Sequence, residues 1–298
     1  MMKKTTFLCA TVAVLLLTLA SCKHEERYLV RYSQTDSTGA LEGDVLESFV
    51  WEDGVLKQSS TFNPQAKERA GFDDYSAVFN YSVDYAYENG LMQCLTGNKF
   101  HSVFTYDEGK VVQIDQLSND GVLAYRAKFT YVDEETIEAE YLSMSKEAIQ
   151  WMECQLYPRR DSTGAQVLPE MPEDTTLKLN SKAIYHWQGG NLVSIKTEFI
   201  GLFTTESELE YDNKINPFYH TYCDIDRQDV FPISIVFGQN NIWSKNNVTR
   251  VTVKSSMMGA TTTDEPLVLE FSYKYEGDYP VLQKDEKASH YYRYDYDK

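Results

Sequence analysis

A short unit of aromatic and glycine residues recurs along this chain and limits the folds that it can adopt. The unit is an aromatic residue, any residue, a second aromatic residue, two further residues, glycine, any residue and an apolar residue. Full copies lie at 49–56, 85–92, 104–111 and 185–192, and degenerate copies begin at Phe129, Leu209 and Tyr273. Aromatic residues two positions apart share one face of a strand, and the pair that ends in glycine supplies the positive φ of a tight hairpin turn. The chain is therefore predicted to form a series of β-hairpins.

The stretches between turns alternate in polarity, as half-buried strands do. In 204–211, Glu206, Glu208 and Glu210 point one way, whereas Leu209 and Tyr211 point the other. The copies of the unit are irregularly spaced, which favours a meander over a solenoid. We predict an all-β fold, an antiparallel hairpin meander that forms a large curved sheet or barrel-like body with little helix.

The N-terminus follows the pattern of a secretory signal peptide. Lys3 and Lys4 precede an apolar run at 7–19, and this run of 13 residues is shorter than the roughly 20 that a membrane-spanning helix needs. Residues 1–21 are predicted to be cleaved. The mature protein would then begin outside the cytoplasm.

The residues at the predicted cleavage site, 19–22, read Leu-Ala-Ser-Cys and resemble the lipobox of bacterial lipoproteins. That resemblance implies that Cys22 carries acyl chains and anchors the protein in a membrane. Residues 22–27 form a short acidic tether. Its Lys-His-Glu-Glu run at 23–26 resembles the export signal that sends Bacteroidota lipoproteins to the outer face of the outer membrane, although acidic residues are also common in ordinary tethers.

Composition narrows the classes of partner. Without Lys3 and Lys4 the chain has 26 basic residues against 45 acidic ones, a net charge of −19. Nucleic acids and anionic lipid headgroups need a positive surface, so this charge disfavours both. Beyond Cys22, only Cys94, Cys154 and Cys223 remain after cleavage. They allow at most one disulfide, and their apolar neighbours favour buried free thiols.

The rest of the chain, 28–298, is predicted to be one β-rich domain. Its main interruption is a long loop near 158–173, which contains three prolines and a glycine. Hairpin units occur on both sides of this loop. A split into two domains is the lesser alternative.

Three C-terminal segments, 211–218, 244–249 and 271–280, resemble a family of Bacteroidota surface lipoproteins described as a domain of unknown function with a porin-like fold. The shared features are a Tyr-Asp-x-Lys-x-Asn-Pro-Phe turn, a later Asn-Asn-Val strand and a tyrosine-rich turn that ends in proline. The resemblance implies a curved sheet or barrel and no particular activity. Asn216 and Pro217 are interpreted as turn formers. The outward carboxylates, such as Glu208, disfavour a barrel embedded in the membrane.

Strand-borne aromatic rings next to the turns are the first candidates for a binding site. Trp51, Tyr87, Tyr106 and Trp187 recur at fixed spacing and could stack on sugar faces. The alternative is that they pack against neighbouring strands, as aromatic residues beside hairpin turns usually do.

Carboxylates supply the remaining candidates. Asp224, Asp226 and Asp229 could hold Ca²⁺ through oxygen ligands, although the segment lacks the glycine and terminal glutamate of an EF-hand loop. The glutamate row at 206–210 could supply a glycosidase pair, but a row on one strand face is more typical of a solvated surface. The sequence contains no phosphate-binding loop, serine-hydrolase elbow or zinc-protease motif.

Three functions follow, in order of preference. The first is a non-enzymatic, lipid-anchored module that displays a ligand- or glycan-binding site at the cell surface. The second is a structural or accessory component of an outer-membrane complex, in contact with another envelope protein. The third is a glycoside hydrolase.

Overall fold

The computed structural model describes residues 27–40, 45–62, 80–97, 100–118, 120–145, 148, 159–160, 163–167, 170, 172, 174–222, 244–257 and 265–297. The strands are β1 Tyr28–Thr35, β2 Val45–Glu52, β3 Val55–Phe62, β4 Asn80–Glu88, β5 Leu91–Gly97, β6 Phe100–Asp107, β7 Lys110–Ser118, β8 Leu123–Tyr131, β9 Thr136–Ser143, β10 Arg159–Arg160, β11 Gln166–Val167, β12 Lys178–Gln188, β13 Asn191–Phe199, β14 Phe203–Ile215, β15 Asn246–Met257, β16 Leu267–Glu276, β17 Tyr279–Asp285 and β18 His290–Asp297. One helix, α1, spans Pro217–Tyr222.

Sixteen of these strands form one closed antiparallel barrel. The hydrogen-bonded order is β1-β18-β17-β16-β15-β14-β13-β12-β9-β8-β7-β6-β5-β4-β3-β2. The barrel closes where β1 pairs with β18, for example with Tyr32 opposite Tyr294, and where β1 also pairs with β2. This confirms the predicted all-β hairpin meander, and of the two predicted forms the closed barrel is the one observed.

The segment between β9 and β12 lies outside the barrel order. It contains the short two-stranded sheet β10-β11, and β9 and β12 pair directly with each other across it. The predicted loop near 158–173 falls within this segment. Both halves of the chain therefore contribute strands to the same barrel.

The repeated unit forms a tight turn followed by a β-bulge. Both central turn residues have positive φ in each full copy, namely Asp53 and Gly54, Asn89 and Gly90, Glu108 and Gly109, and Gly189 and Gly190. This is the backbone of a type I′ hairpin turn. In the first copy Trp51 faces Leu56 while Val50 faces Gln58, so Lys57 is the extra residue of a bulge. The other full copies show the same register shift at their second aromatic residue.

The two ends of the barrel differ in their connections. We call the end with the type I′ turns the turn end, and the opposite end the loop end. The first residue of β1, Tyr28, lies at the turn end, because β1 runs away from it. Longer connections, including 63–79 and 144–177, link strands at the loop end.

Helix α1 follows β14 at the turn end. Asn216 caps it, with its side-chain Oδ1 accepting a hydrogen bond from the Phe218 backbone N at 3.1 Å, and Pro217 is its first residue. This is the turn-forming role predicted for Asn216 and Pro217. Within the described segments, no helix has the length and apolarity needed to cross a membrane.

Buried side chains from nearly every barrel strand join in one core. In β14, Leu209 is 5% exposed, while its neighbours Glu208 and Glu210 are exposed, as the sequence predicts. Because buried residues alternate with exposed ones around a closed barrel, the buried row points inward. Cys94 is a free thiol, but it is half-buried instead of buried; Cys154 and Cys223 lie outside the described residues.

Candidate functional site

The inner wall at the turn end is filled by two tiers of side chains. One tier consists of apolar residues next to the turns, all buried: Leu29, Leu56, Met92, Val111, Ile137, Leu192, Val248 and Pro280. The other consists of the first large residue of six copies of the unit together with Tyr294 of β18, all buried: Phe49, Tyr85, Phe104, Phe129, Tyr185, Leu209 and Tyr294. The repeated unit therefore builds the core of this end.

The four predicted stacking residues belong to this construction. Trp51, Tyr87, Tyr106 and Trp187 are half-buried and pack against the core. They lie on β2, β4, β6 and β12. With about 4.8 Å between neighbouring strands, the residues on the alternate strands β2, β4 and β6 are about 10 Å apart, and β12 lies four strands beyond β6. The structure therefore arranges them as a curved row around the turn end and does not gather them into one flat platform.

Two rings of this row, Trp51 and Tyr106, form hydrogen bonds to the backbone of the preceding strand. The Trp51 indole Nε1 donates to the Leu29 carbonyl at 2.8 Å, and the Tyr106 hydroxyl donates to the Met92 carbonyl at 2.5 Å. The same bond to the preceding strand recurs from Tyr131 to Val111, from Tyr211 to Leu192, from Tyr273 to Val248 and from Tyr296 to Pro280. The acceptors all belong to the buried apolar tier at the turn end. These bonds link successive hairpins.

The three C-terminal motifs meet in one polar cluster at the turn end. Asp212 lies close to Asn247 and accepts a hydrogen bond from the Tyr275 hydroxyl. Lys214 forms an ion pair with Asp278 at 2.7 Å. Each contact joins two different motifs, so the three segments, which are far apart in the sequence, lie together in the structure.

The same cluster fixes the start of β15. The Asn216 side-chain Nδ2 donates to the Ser244 carbonyl at 2.8 Å, and the Ser244 hydroxyl donates to the Tyr211 hydroxyl at 2.8 Å. The Asn191 side-chain Nδ2, at the start of β13, donates to the Asn246 Oδ1, at the start of β15, at 2.9 Å. The contacts are all within the chain, and among the described residues no group of three His, Cys, Asp or Glu side chains is placed to hold a metal ion.

Helix α1 closes the interior near the turn end. The Phe218 ring is 7% exposed and packs edge-on against Tyr32 at 5.3 Å and Phe49 at 6.4 Å between ring centroids. It also contacts Tyr294 at 5.9 Å. These partners lie on β1, β2 and β18, so the helix that follows β14 reaches strands four to six positions away around the barrel.

On one side of the barrel, β13 to β16, the inner wall becomes accessible towards the loop end, whereas inward Ser102 on β6 and Ser181 on β12 stay buried near that end. The inward residues on β13 to β16 are half-buried instead of buried: Thr197, Thr205, Ser207, Val251, Val253, Leu269 and Phe271. No lysine or arginine occupies an inward position in the described strands β13 to β18 or in β1. This part of the interior is lined by hydroxyl, aliphatic and aromatic groups.

One polar group is built into this wall on β17. Gln283 is 4% exposed, and its Oε1 accepts hydrogen bonds from the Tyr32 hydroxyl at 3.0 Å and the Tyr294 hydroxyl at 2.7 Å. Tyr292 faces Gln283 across the sheet and stacks on Tyr32, with ring centroids 5.3 Å apart and an interplanar angle of 20°. Sequence reasoning missed this group. The period-two row Tyr292, Tyr294 and Tyr296 was the available signal.

The glutamate row of β14 lies on the outer face beside basic residues. Glu206 pairs with Lys196 at 2.7 Å, and Glu208 pairs with Lys254 at 3.5 Å. The hydrogen bond from Lys196 lowers the pKa of Glu206 below its usual value. A glycosidase acid needs a raised pKa, so this environment opposes the one that such an acid requires.

Several predicted site residues lie outside the described residues. They are the lipid-anchored Cys22 and the candidate Ca²⁺ ligands Asp224, Asp226 and Asp229. Both the lipid anchor and the calcium site stay predictions.

Neither a protein-family model nor a curated protein matches this chain. Two solved structures are similar over most of its length. A porin-like protein from Bacteroides vulgatus ATCC 8482 is 12% identical, covering 91% of this chain and 99% of that one, with a TM-score of 0.48. A porin-like protein from Bacteroides uniformis ATCC 8492 is 10% identical, covering 90% and 98%, with a TM-score of 0.30. Membership of a lipoprotein family stays a prediction.

Proposed function

We propose that this protein is a lipid-anchored, non-enzymatic binding barrel of the outer membrane that takes a glycan into the accessible half of its interior. The observation that carries the proposal is the change along the inner wall, from buried core at the turn end to half-buried residues such as Ser207 and Phe271 towards the loop end. Binding sites for small ligands combine apolar and aromatic surface with a few placed polar groups. Enzymatic chemistry has no comparable support.

The position of Tyr28 indicates which end of the barrel the proposed anchor would hold near the membrane. Tyr28 begins β1 at the turn end, and the six residues from Cys22 to Tyr28 reach at most about 21 Å when extended. Acyl chains on Cys22 would therefore hold the turn end near the membrane. The loop end, with the accessible interior, would face away from it.

The outer face supports a barrel that stands in water. Mid-strand positions carry ion pairs, such as Lys182 with Glu140 at 2.9 Å and Lys196 with Glu206 at 2.7 Å. A lysine or arginine on the lipid face of a membrane barrel costs about 2–4 kcal/mol at the bilayer midplane. In this proposal the membrane is therefore reached through the lipid on Cys22.

Binding is tested with residues 23–298, the mature chain without its lipidated cysteine, which contain every barrel strand. The neutral fluorophore N-phenyl-1-naphthylamine reports an accessible apolar interior, and an array of neutral and anionic oligosaccharides tests glycan recognition. We expect fluorophore enhancement that a bound glycan reverses. Failure of both probes at millimolar concentration would overturn the proposal.

A pair of neighbouring substitutions tests whether the ligand binds inside the barrel. Ser207 points inward and Glu208 points outward on the same strand. Ser207→Trp should fill the accessible interior and abolish binding, whereas Glu208→Trp should leave it unchanged. Equal loss in both variants would place the binding outside the barrel.

Proteolysis of intact cells tests the location. A protein displayed on the outer face is cleaved by added protease, while a periplasmic protein survives until the outer membrane is opened. A Cys22→Ala variant should fail to stay with the membrane fraction. Retention of that variant in the membrane would contradict the lipid anchor.

A role as an accessory component of an outer-membrane complex is favoured by a different observation. Large apolar side chains are exposed at the loop end, with Ile200 at 41%, Leu202 at 60% and Met257 at 64%. Exposed apolar groups that cluster on a surface often mark protein contacts. Crosslinking in intact cells from position 202 would capture an envelope protein in this case, and a control position on the outer face, Lys196, would not.

A further inference from the structure

The Gln283 side chain is held in place by two hydroxyl groups. Tyr32 and Tyr294 both donate to its Oε1, at 3.0 and 2.7 Å. Burial raises the pKa of both tyrosines well above the usual value, so both keep the protons that they donate. The carboxamide is therefore fixed in one orientation before any ligand arrives.

The other end of this carboxamide has no partner. Within the described part of the chain, the Gln283 Nε2 makes no hydrogen bond, and it is not among the fully buried side-chain atoms without a partner. The nitrogen therefore keeps contact with the solvent of the interior, and a ligand oxygen can replace that solvent as its acceptor. Gln283 lies on the inward row of β17, opposite Tyr292 and Tyr273. An oriented donor without an acceptor thus faces the interior.

The surroundings suit a sugar ring. Phe271 lies on the neighbouring strand with its side chain half-buried on the same inward row, and the Tyr32–Tyr292 stack presents further aromatic surface. Aromatic faces bind the apolar face of a sugar, and fixed polar groups orient its hydroxyl groups. Both kinds of group are present within four neighbouring strands, β16, β17, β18 and β1.

Charge disfavours anionic ligands at this wall. Glu47, the inward neighbour of Tyr32 on β2, is 7% exposed. The inward positions of the described strands β13 to β18 and of β1 contain no lysine or arginine that could neutralise a bound anion. Desolvating an anion without a paired cation is strongly unfavourable.

We propose that Gln283 is the residue that determines specificity in the barrel interior, donating its free amide hydrogen to a hydroxyl or ring oxygen of a neutral sugar. This inference rests on the proposed function and adds to it the ligand class, an uncharged saccharide. Tyr32 and Tyr294 act as positioning residues, because they contact Gln283 through its oxygen.

The test uses residues 23–298 on an array of neutral glucans, mannans and chito-oligosaccharides, together with sulfated and uronic acid-containing oligosaccharides. The unmodified protein should bind neutral members and not anionic ones. Gln283→Leu should weaken that binding at least tenfold. Gln283→Glu, which keeps an acceptor for both tyrosines but replaces the free donor with an acceptor, should weaken it similarly.

Controls separate binding from folding. Gln58 lies on the outer face of β3, where it bonds to Asp84, so Gln58→Leu should not change binding. Near-ultraviolet circular dichroism and the melting temperature establish that each variant is folded, and Gln283→Glu serves if Gln283→Leu does not fold. Unchanged glycan binding in the folded Gln283 variants, or a preference for anionic members, overturns this inference alone. No binding by the unmodified protein to glycans or to N-phenyl-1-naphthylamine overturns the proposed function as well.

Discussion

The turn end and the loop end of this barrel are built from the same strands but have different interiors. At the turn end, Val111 and Leu192 are 0% exposed. On β13 to β16, inward residues nearer the loop end, such as Ser207 and Val253, are half-buried. The difference suggests a division of roles along the barrel axis, in which one end supplies stability and the other keeps accessible surface.

The largest expected effect distinguishes the two ends by a matched pair of substitutions. Phe104 is 4% exposed at the turn end, and Phe271 is half-buried towards the loop end. Phe104→Ala should lower the free energy of unfolding by about 3–5 kcal/mol, because it leaves a cavity in a packed core. Phe271→Ala should cost less than about half as much, since its ring is partly in contact with solvent already.

Urea denaturation of both variants measures this difference. The slope of the free energy with urea concentration must be the same in both, so that the midpoints compare directly. Equal losses would mean that the interior is packed alike at both ends. The accessible half of the interior would then no longer support a binding site.

Alkaline pH should act on the buried tyrosines. Burial raises the pKa of Tyr185 to about 12, and burial also raises the pKa values of Tyr141 and Tyr294 well above their usual value. An unfolded tyrosine ionises near pH 10, as is typical of an exposed phenol. Because the folded state holds its protons more tightly, this contribution to stability is complete below about pH 10 and is lost as the pH rises towards 12.

Absorbance at 295 nm, which follows tyrosine ionisation, should therefore rise late and together with unfolding. The chain in guanidinium chloride provides the control, and it should titrate near pH 10. A native titration that matches the unfolded one would show that the tyrosines are accessible to solvent. Such a result would remove the contrast between the ends.

The sequence predicted the hairpins but not how they join. Asn89 with Gly90, and Glu108 with Gly109, are local turn signals, so the turns follow from a few adjacent residues. The bond from Tyr106 to the Met92 carbonyl joins residues of two hairpins, and closure of the barrel joins Tyr32 to Tyr294 across most of the chain. Neither is encoded in any short window.

The candidate site was harder to predict for a related reason. Trp51 and Trp187 were conspicuous because aromatic residues beside turns stand out in a sequence, and the structure packs both against the core. Gln283 lies in an ordinary-looking strand. Its importance depends on Tyr32, which precedes it by 251 residues, and only the closed barrel brings the two together.

A smaller effect tests the bonds between hairpins. Tyr106→Phe removes the hydroxyl that bonds to the Met92 carbonyl and leaves the ring in place. Losing such a bond from the hydroxyl of the half-buried Tyr106 should cost about 1 kcal/mol in the free energy of unfolding. Tyr291→Phe, on the outward row of β18, is the matched control and should have no effect. If both variants melt at the same temperature, the repeated bond is not a source of stability at the turn end.

The smallest expected effect concerns the outer face, whose ion pairs are exposed. Lys196 bonds to Glu206 at 2.7 Å, but both side chains are more than half exposed, and exposed pairs contribute little because water and salt screen them. Lys196→Met should therefore leave the urea midpoint unchanged within error, at both low and high salt. A clear loss that high salt abolishes would show that the outer charges stabilise the barrel. The two ends would then have to be compared by their outer faces as well, and the interior alone would not account for their difference.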